Sequence, residues 1–289
     1  MEISIVIPTY NGVKLLEQTL SYTLTAVQKF SRSEIIIVDN NSQDNTKDLI
    51  ESKFRKVRIL SFDKNYGFTK AVNEGVKIAT CEYVCILNND CFVERDAFQK
   101  LYDFLNSHKE YVATQPVIQK LNVKSEKLRV ENLSDKTTES IGYIVNLKKG
   151  KAKVITNYEL QMSNYENKGN IFGKGKVYGL SATCLLIRKD VFLKIGMFDE
   201  AFHSYLEDVD LFIRLARRGY QYAPCLNAYA NHQHMATSGK MGTYKEWHDF
   251  TNWIRIIVKN YPWWFIMLHF PTLFIERLRN LSGYLKKAA

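Results

Sequence analysis

Two hydrophobic periods alternate along the first 118 residues. Ile3–Ile7 is apolar but for Ser4, as expected of a strand buried on both faces. Leu15, Leu16, Thr19, Leu20, Leu24 and Val27 then recur at helical spacing. Ile35–Val38, Val57–Leu60 and Tyr83–Leu87 predict three further strands. Ser42 is placed to cap a polar helix ending near Lys53. Ala71, Val72, Gly75 and Val76 mark the next helix. Asp96 precedes another that carries Phe98, Leu101, Tyr102 and Leu105. Units of this length, alternating this way, predict an α/β fold with a mostly parallel sheet flanked by helices.

Residues 119–176 break the rhythm. They are rich in Lys, Asn, Ser and Gly, with short apolar runs such as Ile141–Leu147, and read as an insertion of irregular strands and loops. Gly179–Arg188 returns to a strand, followed by a helix around Asp190–Ile195. The run His203–Gly219 reads as one helix ending in Arg217, Arg218 and Gly219, a basic last turn and a glycine stop. Tyr261–Ile275 is apolar and aromatic but shorter than the roughly 20 residues a bilayer span needs. Its tryptophans and the flanking Lys259, Arg277, Arg279, Lys286 and Lys287 predict a helical amphipathic extension lying in a headgroup region. The competing reading is a helix packed on the domain or on another chain.

Composition adds three points. At 289 residues with 46% apolar and 24% charged side chains, the chain has a globular composition and not a disordered one. The five cysteines are odd in number, lack zinc-site spacing and mostly sit in apolar runs. They fit a reducing compartment, and the chain starts in a strand without a signal-peptide pattern. The expected location is therefore cytoplasmic. The net charge of +10 is uneven: residues 119–176 hold 12 basic against 6 acidic side chains, and residues 241–289 hold 7 against 3. Solvated lysine loops explain this blandly. Attraction to anionic lipid or to a phosphate-bearing acceptor explains it functionally, with the peripheral contact expected through 259–287.

Ligands of open parallel sheets sit at the carboxyl ends of the strands. There the chain places Pro8-Thr9-Tyr10-Asn11, Asp39-Asn40-Asn41-Ser42, Asp63-Lys64-Asn65-Tyr66-Gly67 and Asn88-Asn89-Asp90. No glycine-rich phosphate loop occurs, which argues against dehydrogenases and P-loop enzymes. Asp39 suits a base or ribose, or equally an aspartate turn. Asp90 suits a hard divalent cation shared with a diphosphate, or again a turn.

The segments IVIPTYN (5–11), IIIVDNNSQDNT (35–46), NYGFTKAVNEG (65–75), YVCILNND (83–90) and YLEDVDLFIRLARRGY (205–220) together resemble family 2 glycosyltransferases. The nearest group is the rhamnosyltransferase-like members that build bacterial surface polysaccharides. The resemblance implies a GT-A fold: a nucleotide-sugar-binding half over 1–118, an acceptor-binding and catalytic half over 119–240, and the extension over 241–289. It implies transfer, with inversion, from a UDP- or dTDP-linked sugar to a glycan or lipid-linked acceptor at the inner face of the cell membrane, without nucleic acid. It places the base at Asp39, with Pro8 and Tyr10 lining that pocket. Asn11, Asn65, Gly67 and Asn89 at the other strand ends complete the nucleotide-binding set.

Asp90 corresponds to the last acid of the family's D-x-D motif. Here the motif reads Asn88-Asn89-Asp90, which leaves one carboxylate for Mg²⁺ or Mn²⁺. A histidine completes that site in the family, and His232 fits the spacing better than His234. Thr237-Ser238-Gly239 resembles the flexible loop near the diphosphate. The resemblance implies that the catalytic base comes from the Glu207-Asp208 pair. Ser204-x-x-Glu207 matches a capping box, which gives Glu207 a structural task and leaves Asp208 as the base. Asp210 and Arg214, four apart, predict a structural ion pair. The rivals are a sugar nucleotidyltransferase, whose glycine-rich loop is absent, and a non-enzymatic glycan-binding module at a membrane.

Overall fold

The computed structural model describes residues 1–120, 137–156, 170–233 and 243–288. The first part is the predicted alternation: β1 (Glu2–Thr9), α1 (Val13–Ala26), β2 (Arg32–Asp39), α2 (Thr46–Lys53), β3 (Arg58–Ser61), α3 (Gly67–Ile78) and β4 (Tyr83–Leu87). Next come β5 (Cys91–Val93), α4 (Ala97–Ser107), β6 (Tyr111–Thr114) and β7 (Pro116–Lys120). The middle holds β8 (Thr137–Ser140), β9 (Tyr143–Asn146), β10 (Lys151–Val154), α5 (Ile171–Lys174) and β11 (Lys176–Gly179). Then follow β12 (Cys184–Arg188), α6 (Lys189–Ile195), α7 (Glu207–Arg217), β13 (Gln221–Tyr222) and β14 (Cys225–His232). Two long helices close the chain, α8 (Tyr244–Asn260) and α9 (Trp263–Ala288).

The main sheet runs β13-β6-β12-β4-β1-β2-β3. All its pairings are parallel except those of β12, which is antiparallel to β4 and β6. Alternate side chains of its central strands feed two apolar layers. Val6, Ile36, Val38 and Ile86 pack toward α3, α6 and α7. Ile5, Ile7, Ile37 and Leu87 pack toward α1 and α4. Burial on both faces is what unbroken apolar strands require. The parallel strands β1, β2, β3 and β4 all end on one edge, so their following loops gather there.

Two small sheets flank that edge: β10-β9-β11, and β5-β14-β7-β8. They give the middle segment more regular structure than its composition predicts. The second small sheet sets β8 and β14 on either side of β7, bringing Glu139 toward His232.

Four sequence expectations change. Ser42 does not cap α2; its Oγ accepts the Asn11 N–H at 2.9 Å. Asp44 instead accepts the Thr46 N–H at 3.2 Å, and the helix starts there. Asp96 stands at the N-terminus of α4, but its carboxylate pairs with Lys100 at 2.8 Å and caps no backbone group. Gly179–Arg188 is two strands because Ser181 and Ala182 leave the ladder. Their N–H groups bond Gln115 Oε1 at 2.6 Å and Asp208 Oδ2 at 3.3 Å. His203–Gly219 is not one helix either. His203, Tyr205 and Leu206 take φ of 60°, 67° and 64°, a region that excludes helix, so α7 begins only at Glu207.

Candidate active site

At the ends of β1 and β2, Asn11 ties two loops together. Its N–H reaches Ser42, and its Oδ1 accepts the Gln43 N–H at 2.7 Å. Asn11 has φ of 49°, a conformation asparagine tolerates better than most residues. Pro8 pairs in register with Val38, and Thr9 with Asp39, while Tyr10 follows half-buried. Asp39 is buried, and its carboxylate accepts the Ser42 N–H at 3.1 Å. The aspartate turn therefore exists. It engages one N–H and leaves the other acceptor positions of the carboxylate to a further donor.

Asn40, which sequence reasoning passed over, binds the next loop. Its Oδ1 accepts the Tyr66 N–H at 3.2 Å, and its Nδ2 donates to the Gly67 carbonyl at 3.4 Å. Asn65 Oδ1 accepts the Gly67 N–H at 2.9 Å. Gly67 sits at φ of +86°, and a Cβ there would lie 2.4 Å from His203 Nδ1. Only glycine satisfies both demands. Asn89 donates to Thr9 Oγ1 at 3.0 Å, and its own carbonyl accepts the Thr19 hydroxyl at 2.7 Å. The residues predicted to bind nucleotide thus line one connected edge.

Asp90 and His232 meet. His232 Nε2 is 3.3 Å from Asp90 Oδ1, and its Nδ1 is 3.2 Å from Glu139 Oε1. Burial alone would lower the imidazole pKa. The hydrogen bonds to Asp90 and Glu139 outweigh that and raise it to about 9, so the ring is cationic at neutral pH. Glu139 escaped the sequence reading because nothing in TTESIG marks it; only the β7–β8 pairing brings it here. Among the described residues, no three His, Cys, Asp or Glu side chains form a complete metal cluster. Asp90 and His232 offer one oxygen and one nitrogen, with Glu139 behind the ring, the way carboxylates orient metal-ligating histidines. That donor set fits a divalent ion completed by diphosphate oxygens. His234 and Thr237-Ser238-Gly239 lie outside the described residues.

Glu207 and Asp208 open α7. The expected capping box does not form. The residue before the helix is Leu206 in the left-handed region, and no side chain caps the end. Glu207 therefore has no capping task. It is buried, and its Oε2 has no hydrogen-bond partner. Burial and the neighbouring Asp208 charge push its pKa well up. Asp208 is half-buried. Burial raises its pKa as well, and N–H groups of Val209 and Ala182 hold the rise in check. Of the two, Asp208 is the more accessible. Asp210 and Arg214 pair at 2.8 Å with Asp210 fully buried, the structural pair the spacing predicts.

A short turn joins the two chemical groups. Ala182 N–H bonds Asp208, and the next residue's carbonyl, on Thr183, accepts the Asn88 N–H at 2.9 Å. Asn88 opens the segment that ends in Asp90. The acidic start of α7 and the segment ending in Asp90 are therefore linked through this one turn.

Residues 4–196 match the model of "Glycosyl transferase family 2". The chain belongs to that family. Among curated relatives, Glycosyltransferase GlyG of Streptococcus pneumoniae is 32% identical over 103 residues, 35% of this chain and 34% of its own. Poly(ribitol-phosphate) beta-N-acetylglucosaminyltransferase TarP of Staphylococcus aureus is 32% identical over 106 residues, 36% of this chain and 32% of its own. Poly-beta-1,6-N-acetyl-D-glucosamine synthase of Staphylococcus epidermidis is 34% identical over 110 residues, 37% of this chain and 26% of its own. The matches thus span about a third or less of these relatives.

Solved structures share the family 2 chain's fold. S. aureus TarS 1-349 in complex with UDP-GlcNAc superposes with a TM-score of 0.61 at 16% identity, covering 96% of this chain and 72% of that one. GalNAc-T7 with UDP, GalNAc and Mn²⁺ gives 0.63 at 15% identity, covering 89% and 47%. The predicted GT-A architecture, with its C-terminal helices, is the observed one.

Proposed function

We propose that this family 2 chain transfers a sugar, with inversion, from a UDP-linked donor to a hydroxyl of a surface-glycan acceptor. The observation that carries the reading is the two-residue turn at Ala182–Thr183, which joins Asp208 to the segment Asn88–Asp90, whose last residue meets His232. A general base and a cation-binding pair on one crevice are what glycosyl transfer from a diphosphate needs.

The acceptor oxygen attacks the anomeric carbon while the bond from that carbon to the diphosphate oxygen breaks. The proton passes to Asp208, and the electron pair leaves with UDP. One displacement inverts the carbon. Glu207 is buried beside Asp208, and burial and that neighbouring charge raise its pKa, which favours a single negative charge on the pair. Asp39 accepts from the base, and the Asn11–Ser42 and Asn40–Gly67 ties hold the nucleotide edge in shape. Asp90 and His232 would hold Mg²⁺ or Mn²⁺, which when bound neutralises charge on the departing diphosphate.

One solved structure of the same fold holds UDP-GlcNAc and another holds UDP with GalNAc, and two curated relatives carry N-acetylglucosamine in their names. UDP-GlcNAc is therefore the first donor to try, with dTDP-rhamnose the choice implied by the rhamnosyltransferase-like motifs. A membrane surface is the place of work on our reading. No described helix is long and apolar enough to cross a bilayer. Yet α9 exposes Trp263, Met267, Leu268, Phe270 and Phe274 beside basic residues, a pattern suited to the headgroup region at the cytoplasmic face, where lipid-linked acceptors are within reach.

The test is release of UDP, dTDP or GDP from a panel of sugar nucleotides with Mn²⁺ present. Turnover of a UDP- or dTDP-sugar supports transfer. Pyrophosphate-dependent formation of UTP would instead indicate a nucleotidyltransferase. Inertness toward every donor would indicate a glycan-binding module.

A further inference from the structure

The backbone just before the catalytic pair is strained. His203, Tyr205 and Leu206 have φ of 60°, 67° and 64°, and none is glycine. Each left-handed residue of this kind costs about 1–3 kcal/mol and persists only where the surroundings enforce it. Thr69 of α3 holds the His203 carbonyl at 3.1 Å, and the other carbonyls are held from nearly 50 residues later in the chain, on α8. The Asn252 carboxamide is fully buried. Its Nδ2 donates to the carbonyls of Phe202 at 3.2 Å, Ser204 at 2.9 Å and Tyr205 at 2.8 Å. Arg255 Nη1 donates to Asn252 Oδ1 at 2.6 Å, which fixes which end of the amide faces the turn.

We infer that Asn252, oriented by Arg255, is a positioning residue for the Glu207–Asp208 pair. It holds the left-handed turn that aims the start of α7 at the crevice. The inference rests on Asp208 being the base. Three observations favour positioning over mere anchoring. The Nδ2 bonds all go to carbonyls of the segment 202–205 that forms the strained turn. The turn leads directly into Glu207, with no spare residue between. Farther along, the same two helices are joined separately: Asn260 Nδ2 donates to Asp210 Oδ1 at 2.8 Å and Lys259 reaches Asp210 at 3.2 Å. Docking of α8 on α7 therefore does not need Asn252, whereas the shape of the turn does. An acid pair displaced by about 1 Å loses on the order of a hundredfold in rate.

The experiment compares the full chain with Asn252→Asp, which keeps the shape but removes the donors, and with Arg255→Ala and Arg255→Lys, which change an exposed side chain and preserve folding. Three readouts are taken: UDP release from UDP-GlcNAc with Mn²⁺, UDP affinity by calorimetry, and carboxyl titration of Glu207 and Asp208 by NMR. Asn252→Asp and Arg255→Ala should lower kcat at least about tenfold with UDP affinity within about twofold. They should also move both carboxyl titrations toward ordinary values, and Arg255→Lys should restore wild-type behaviour. Unchanged titrations in both disabling variants would overturn the inference, whether or not thermal stability falls. A wild-type chain inert toward every sugar nucleotide would instead count against the transferase reading, and the titrations would still decide the role of Asn252.

Discussion

Asp208 Oδ2 accepts the backbone N–H of Ala182 at 3.3 Å, and this contact joins a helix start to a turn between two different sheets. Because Thr183 continues that turn to Asn88, Asp208, the proposed base, and the segment ending in Asp90, the proposed cation ligand, belong to one framework. The pair Glu207–Asp208 then shares a buried, poorly solvated place in which two charges are unfavourable.

That crowding has a consequence for stability. Glu207 has a folded pKa raised by burial and by Asp208. The folded state therefore holds its proton more tightly than the unfolded state. Its contribution is fully present below the ordinary carboxylate pKa and is lost as pH rises through the folded value. Glu207→Gln, which cannot ionise, should gain thermal stability relative to wild type at pH 9 compared with pH 5. Thermal unfolding of both proteins at the two pH values checks this. An equal difference at both would contradict the burial of an ionisable Glu207.

A metal entering at Asp90 and His232 must displace the proton that His232 holds with its pKa raised to about 9. Mn²⁺ binding at pH 7 should therefore release about one proton per ion, measured by calorimetry in buffers of different ionisation enthalpy. His232→Ala and Asp90→Asn should each weaken Mn²⁺ binding in the presence of UDP, and Glu139→Gln should weaken it about 10–100-fold. Proton-neutral binding would place the ion elsewhere.

Gly67→Ala should cost about 1–3 kcal/mol through its left-handed backbone. The Cβ must also push the His203 ring, which would lie 2.4 Å away. Because Asn40 and Asn65 fasten the same loop, UDP affinity should fall too. Chemical denaturation and UDP titration measure the two effects, and a neutral substitution would show that the loop relaxes freely.

Trp263 is 78% exposed and Met267 69% exposed, on the same face of α9. Replacing both with glutamate should abolish sedimentation with vesicles containing anionic lipid and leave UDP affinity unchanged. Loss of a dimer, with vesicle binding intact, would instead identify a second copy of the chain as the partner of this face.

The fold was largely legible because the β/α rhythm of the first 118 residues is a burial pattern, and burial is what a sequence encodes most directly. The strand-end residues Asp39, Asn65, Asn89 and Asp90 followed from that. What the sequence hid was tertiary. Glu139 reaches His232 only through β7–β8 pairing, and Asn252 reaches the turn before α7 only because α8 docks on α7. Ser204-x-x-Glu207 misled for a related reason. A capping box presumes free choice of backbone at the helix start, whereas three carbonyls held by Asn252 fix that backbone in the left-handed region.

Asp208→Asn, assayed for sugar transfer or donor hydrolysis alongside UDP binding, probes the proposed base without disturbing the nucleotide edge. The rate should fall about 10²–10⁴-fold with UDP affinity unchanged. Turnover at the wild-type rate would contradict Asp208 as the base and, with it, the mechanism proposed for this chain.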